Sequence, residues 1–174
     1  MINIDYYNTP LGELILGSWG EKLCLCDWKF RSIRGTIDSR IQKALKTQYI
    51  HEKSEIIEET KRQLEQYFKG KRRDFSIPVL LIGTEFQKTV WKVLMGIPYG
   101  TTKSYSQLSN EIGAGKSFRA VASANGANAI SILVPCHRVI GNRGNLTGYA
   151  GGLNAKKQLL KLEKALQHDQ LELF

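Results

Sequence analysis

The sequence predicts two different architectures in one chain of 174 residues. Residues 1–82 read as an α/β half, an antiparallel sheet with helices. Residues 83–174 read as a mostly α-helical half built around a helix-turn-helix. Three observations predict this. Apolar and polar residues alternate along the first third, with turn residues between the runs. Past Ile82-Gly83 the apolar spacing becomes helical. Two capping boxes then mark helix starts in quick succession.

Each element follows in order. Ile2, Ile4 and Tyr6 alternate with polar residues and predict a first strand. Asn8-Thr9-Pro10-Leu11-Gly12 is a turn. Glu13 to Ser18 is a second strand, and Trp19-Gly20-Glu21-Lys22 turns into a third, Leu23 to Trp28. Cys24 and Cys26, two apart, are expected on one face of it. Thr36 to Leu45 reads as a helix with Ile37, Ile41, Ala44 and Leu45 inward. Ser54 to Lys69 reads as a longer one. Its stripe is Ile56, Ile57, Leu64, Tyr67 and Phe68, with Glu58–Arg62 and Glu65–Lys69 as i,i+4 pairs. Phe75 to Leu81 is extended, and Pro78 puts it at a sheet edge.

In the second half, Thr84 and Gln87 open a helix carrying Phe86, Val90, Val93 and Leu94, which Ile97-Pro98-Tyr99-Gly100 ends. Ser104 and Gln107 open a short helix to about Ile112. A tight turn over residues 113–116 leads to a third helix, Ser117 to Asn125, rich in small residues. Two short helices about a glycine-containing turn form a helix-turn-helix. Ile130 to Val134 is a buried run leading into Pro135-Cys136-His137-Arg138-Val139. A glycine-rich loop over 141–152 precedes a last helix from Asn154, its cap, to about Gln167. Its inner face is Ala155, Leu159, Leu162 and Leu166. Glu163 borders that face, near a cluster formed by Lys156, Lys157, Lys161 and Lys164.

Composition excludes several classes. The chain is 42% hydrophobic and 24% charged, the balance of a globular protein. No apolar run approaches a membrane span. Met1 to Pro10 carries Asp5 and two tyrosines but no basic leader, so no signal peptide is expected. The formal charge is +9. Between Ile97 and Ala150 the cations Lys103, Lys116, Arg119, Arg138 and Arg143 meet one acid, Glu111. Such a surface suits a polyanion, although solubility alone is served by the same charge. Cys24, Cys26 and Cys136 make no disulfide framework and no zinc-ligand spacing, which points to a reducing compartment, the cytoplasm.

Chemistry concentrates at Cys136. A thiol reacts as its thiolate, which neighbouring His or Arg favours, and His137 and Arg138 follow it directly. A lone cysteine is as readily a small buried hydrophobe. Glu163 is either one more solvated carboxylate or an acid that orients a histidine. A non-catalytic helix-turn-helix regulator explains the charge and helices, and a Cys-His-Glu hydrolase explains the triad. Neither explains both.

Pro-Cys-His-Arg-Val at 135–139 resembles the active-site signature of the O6-alkylguanine-DNA alkyltransferases (methylated-DNA–protein-cysteine methyltransferases). Thr84-Glu85-Phe86-Gln87, Val90-Trp91, Ile97-Pro98-Tyr99-Gly100, Ser104-Tyr105, Arg119-Ala120-Val121, Asn128, and Gly148-Tyr149 with Gly151-Gly152-Leu153 resemble further family segments in family order. The resemblance implies a ribonuclease H-like first domain and a winged helix-turn-helix-like second one. It implies a monomer acting once on O6-alkylguanine, and on O4-alkylthymine, flipped from duplex DNA, with no cofactor and no metal, in the cytoplasm (or nucleus of a eukaryote). By resemblance Cys136 accepts the alkyl group and His137 is its base through a water. Glu163 orients His137 and favours its cation, Tyr105 hydrogen-bonds the leaving guanine, and Asn128 ties the helix-turn-helix to the site. Arg119 replaces the flipped base, and Ala120, Ser123 and Asn125 face DNA on a helix that Ala122 and Ala124 keep slim. The Val139 carbonyl and the Tyr149–Ala150 backbone line the base pocket. Ala150 stands where some members have serine, and Ala129 where many have proline.

Overall fold

A computed structural model describes residues 1–113 and 117–166. The first half is a four-stranded sheet between two helices. Strands β1 (Ile2–Thr9), β2 (Gly12–Trp19) and β3 (Lys22–Trp28) form the expected antiparallel meander. A fourth strand, β4 (Tyr49–His51), lies parallel to β1 and completes the order β3-β2-β1-β4. Three residues carry no periodicity, so β4 was not expected from sequence. Helix α1 (Arg34–Leu45) packs Ile37 and Ile41 on one sheet face with Ile2, Ile4, Ile15 and Leu25. Helix α2 (Glu55–Phe68) packs Ile57, Leu64 and Tyr67 on the other with Leu14, Leu16 and Leu23. A sheet covered on both faces needs continuous apolar runs, and Leu14-Ile15-Leu16 is one.

Three local features differ from what the sequence predicts. Cys24 and Cys26 do not share a face: Gly17 pairs with Leu25 and Ser18 with Leu23, so Cys24 is an extra residue in the strand. The bulge sends Cys24 to the α1 side and Cys26 to the α2 side. Ala44 is exposed, with Leu45 half-buried. Glu58 pairs with Lys61, and Arg62 with Glu59, so Glu58–Arg62 is not formed, whereas Glu65–Lys69 is, at 2.7 Å.

The second half contains α3 (Glu85–Met95), β5 (Lys103–Ser104), α4 (Tyr105–Ile112), α5 (Phe118–Gly126), β6 (Val139–Ile140) and α6 (Leu153–Leu162). Both capping boxes are present, at Thr84/Gln87 and Ser104/Gln107. Trp91 of α3 donates its indole N–H to the Ala124 carbonyl of α5 at 2.8 Å. Strands β5 and β6 pair in parallel, which sets the start of α4 beside the cysteine segment. Helix α6 is capped by Gly152 (φ 89°), not Asn154. The helix also stops short of the expected end near Gln167: it closes at Leu162, with Glu163 as its C-cap and Lys164 in the left-handed region at φ 56°. Part of the turn at 113–116 lies outside the described residues.

The two halves share one core. The free edge of β3 binds Pro78 and Leu80 near its start, through Leu23. Further along, Cys26 donates to the Ala129 carbonyl (2.9 Å) and accepts from Ser131 (2.6 Å). The segment between α5 and Cys136 is therefore hydrogen-bonded directly to the first half. Gly151 approaches Trp28 so closely that a Cβ there would lie 2.5 Å from the indole. No helix among the described residues is long and apolar enough to cross a membrane.

Candidate active site

Cys136 begins a single 3₁₀ turn, Cys136–Arg138, between a tight bend and β6. The bend holds Ile132 at φ 73°, a conformation that costs a β-branched residue about 1–3 kcal/mol. It persists because its neighbours over-determine it: Ser131 is bonded to Cys26, and Val134 N–H returns to the Ile130 carbonyl at 2.9 Å. Asn128 organises the same bend. Its Nδ2 donates to the Val134 carbonyl at 2.9 Å and to Cys136 Sγ at 3.2 Å, while its Oδ1 accepts from Ile130 N–H at 2.9 Å.

The sulfur sits in a cavity of about 520 Å3. Tyr105, Asn125, Asn128, Tyr149 and Ala150 contribute to its walls, as do Arg31 and Ile33 from the first half. Tyr105 is 7% exposed, and its hydroxyl accepts from Asn125 Nδ2 at 3.3 Å. Tyr149 is held by the Trp28 indole N–H, which donates to its hydroxyl at 3.3 Å. Cys136 itself is 4% exposed, and burial pushes its thiol up from the ordinary value, against the opposing pull of Asn128 and Lys156. At neutral pH it rests as a thiol and needs a base.

His137 points away from solvent, fully buried. Its Nε2 lies 2.8 Å from Glu163 Oε1. Glu163 also accepts from Arg138 Nε (2.9 Å) and Nη2 (3.0 Å) and from the Tyr67 hydroxyl (2.6 Å). Burial pushes the Glu163 carboxyl up, but His137 and Arg138 outweigh it and bring it down to about 2. An ionised carboxylate only accepts, so Nε2 carries the proton and Nδ1 keeps its lone pair. Nδ1 is buried and has no hydrogen-bond partner among the described residues. Burial lowers the His137 pKa more than Glu163 raises it. Glu163 does favour the cation, as expected, but burial outweighs it, so the histidine rests neutral, the form able to take a proton.

The remaining expected residues divide. Arg119 and Ser123 are exposed on α5, with Ala120 half-buried beside them. Asn125 is not on that outer face: it is buried, at 6% exposure, and reaches Tyr105 inside the cavity. Ala124 is likewise buried, against Trp91. Val139 is fully buried, and its carbonyl already accepts from Lys156 Nζ at 2.6 Å. Lys156 turns inward, apart from the neighbouring lysines. It is fully buried, holds the Thr147 carbonyl as well (2.7 Å), and burial brings its ammonium down to about 8. Its inward position was readable: Lys156, Leu159, Leu160 and Glu163 are spaced i, i+3, i+4, i+7 and share one helix face. Tyr67 on its apolar stripe and Arg138 beside Cys136 are both visible in the sequence, but nothing there shows that the two bond Glu163. No group of three His, Cys, Asp or Glu side chains among the described residues is arranged to hold a metal ion.

A thiol in a cavity wall beside a histidine whose tautomer a carboxylate sets is the kind of arrangement that can activate a nucleophile. Comparison with known proteins gives the family. The family model for the 6-O-methylguanine DNA methyltransferase ribonuclease-like domain matches residues 2–81, and that for its DNA binding domain matches residues 85–165. A methylated-DNA–protein-cysteine methyltransferase of Methanosarcina barkeri is 50% identical over 160 residues, covering 92% of this chain and 96% of its own. That of Mycobacterium leprae is 41% identical over 175 residues, covering 100% and 99%. The crystal structure of Mycobacterium tuberculosis O6-methylguanine methyltransferase superposes with a TM-score of 0.79 at 38% identity, covering 100% of this chain and 99% of that one. The Mycobacterium tuberculosis protein in complex with DNA gives 0.80 at 39% identity, covering 94% and 93%. With a nucleophile site of this kind and relatives this similar along its whole length, the chain belongs to the methylated-DNA–protein-cysteine methyltransferase family.

Proposed function

We propose that this protein repairs DNA by moving an alkyl group from O6 of guanine in a duplex onto Cys136, irreversibly and once per molecule. The observation that carries the reading is the placement of Cys136 Sγ in the cavity, held by Asn128 Nδ2, next to a neutral His137 whose tautomer Glu163 sets. A guanine inside a duplex cannot reach that sulfur, so the base must be flipped out, at a cost of about a few kcal/mol. Exposed Arg119 at the start of α5 fills the gap, and Ala120 and Ser123 lie along the DNA. Asn125 supports Tyr105 from within.

The chemistry balances without a cofactor. The thiol proton passes toward His137 Nδ1, through a water. The sulfur attacks the alkyl carbon, the S–C bond forms and the C–O6 bond breaks, and its electron pair goes to the purine. Tyr105 and Asn125 stand at the wall where a hydrogen bond would oppose the charge growing on the leaving guanine. The proton returns to guanine, and a thioether remains on Cys136. A thioether offers no easy leaving group, so the protein stops there. O4-alkylthymine presents the same alkyl–oxygen bond and enters the same scheme. The protein acts as a monomer in the cytoplasm, or in the nucleus of a eukaryote, with the division at residues 82–83 separating its two domains.

The test is intact mass with peptide mapping after mixing with duplex carrying one O6-methylguanine. One methyl on Cys136, saturating at one per protein, is the expected result. Unchanged mass with DNA still bound would instead identify a lesion sensor or regulator.

A further inference from the structure

Helix α5 ends without a capping motif of its own. The last four carbonyls of a helix lack intrahelical donors, and a glycine in the left-handed region just past the end commonly supplies the remedy. Here the C-cap Ala127 has φ −84°, and Asn128 after it is not in the left-handed region either. The chain's own amides reach only part of the end: Ala127 N–H bonds the Ser123 and Ala124 carbonyls, and Asn128 N–H the Asn125 carbonyl at 3.4 Å. The next three carbonyls are taken by arginines of the first half. Arg31 Nη2 donates to Gly126, Arg40 Nη2 to Ala127 at 2.9 Å, and Arg31 Nη1 to Asn128 at 2.9 Å.

The clamp is built in. Asp27, fully buried, accepts from Arg31 Nη1 at 3.1 Å and from Arg34 Nη1 at 2.7 Å, and its other oxygen accepts from Ser131 at 3.3 Å. Cations at a helix carboxyl end also oppose the helix dipole. The same Asn128 whose carbonyl Arg31 holds has its side chain on Cys136 Sγ.

We propose that Arg31 and Arg40 are positioning residues for duplex repair, capping α5 from the first half and setting the angle at which α5 meets DNA. This rests on the repair reading above. Nine residues of helix span about 13 Å, so a tilt of about 10° at the cap moves the Arg119 end by roughly 2 Å. That displacement is large against a hydrogen bond and is felt by a duplex. A free base needs only the cavity floor, which Asn128 holds through its own side-chain bonds.

The experiment compares single-turnover transfer from O6-methylguanine duplex and from free O6-benzylguanine, using the full chain and the variants Arg31→Ala, Arg31→Lys and Arg40→Ala. Arg40, which does not line the cavity, gives the clean comparison: Arg40→Ala is expected to slow the duplex reaction at least fivefold and the free-base reaction less than threefold. Arg31 also lines the cavity, so Arg31→Ala slows both reactions, the duplex one at least fivefold more than the free-base one, and Arg31→Lys, which keeps charge and one carbonyl contact, recovers part of the duplex loss. Should Arg31→Ala fail to fold by circular dichroism, the other two variants are read in the same way. Equal slowing of both substrates by Arg40→Ala, or unchanged duplex rates, would overturn the proposal. An unsubstituted protein inert toward both substrates would overturn the repair reading, and this proposal with it.

Discussion

Replacing Glu163 by glutamine removes one charge and almost no volume, so its effect reports on electrostatics. The carboxylate accepts from His137, from Tyr67 and twice from Arg138, all buried. A carboxyl held at about 2 against an ordinary 4.5 contributes about 3 kcal/mol to stability at neutral pH. Taking one partner from a buried ion pair costs about 3–5 kcal/mol by a separate route. Glu163→Gln should therefore unfold about 10 °C lower, at roughly 2–4 °C per kcal/mol for a chain of this size. The sign with pH follows from the depressed pKa. The contribution is complete above the unfolded value of 4.5 and is lost as pH falls toward 2, so variant and parent should converge in acid. Transfer should slow about a hundredfold, since a glutamine no longer dictates which nitrogen of His137 bears the proton. Thermal unfolding at several pH values, with single-turnover transfer at pH 7.5, measures both. Transfer within threefold of the parent would refute the base role of His137, and an unchanged melting temperature would refute the ion pair.

Arg119→Ala should slow transfer from duplex DNA far more than from free O6-benzylguanine, and equal losses would remove its base-replacing role. Lys156→Met should slow both substrates alike, by about tenfold, because the Val139 and Thr147 carbonyls lose their shared donor and the loop beside the sulfur shifts; hydrogen exchange over residues 141–150 should quicken with it. Gly151→Ala places a methyl against Trp28 and should cost about 1–3 kcal/mol in denaturant unfolding, whereas an unchanged midpoint would show that the two halves slide freely there. Stability should fall above pH 9. Burial holds Cys24 up at about 12 and raises Cys26 and Cys136 from 9.0. The unfolded thiols ionise near 9 while the native ones stay protonated, so the native state is progressively disfavoured. Lys156, lowered to about 8, opposes this, and a midpoint that rises from pH 9 to 10 would show that the lysine dominates.

What could be read from the chain depended on the distance over which each feature is decided. Capping boxes close within four residues, and both are where Thr84 and Ser104 announce them. Strands β1 to β3 are joined by tight turns, so their alternation suffices. Cys136 and His137 are adjacent, and Glu163 borders a helix face whose period is visible. Features decided by remote partners left no local trace. Strand β4 exists because β1 offers a parallel edge. Tyr67 looks like one more apolar residue of α2 until the fold sets it 2.6 Å from Glu163, 96 positions away. Arg31 looks like a loop cation until it meets the end of α5. Strand β4 apart, these remote partners are side chains of the first half completing hydrogen bonds of the second. Tyr67 takes a lone pair of the Glu163 carboxylate, Arg31 and Arg40 take the Gly126, Ala127 and Asn128 carbonyls at and just past the end of α5, and Trp28 takes the hydroxyl of Tyr149. The chemistry-bearing residues can thus be named from a motif in the second half alone, while part of the geometry that holds them is completed by the first.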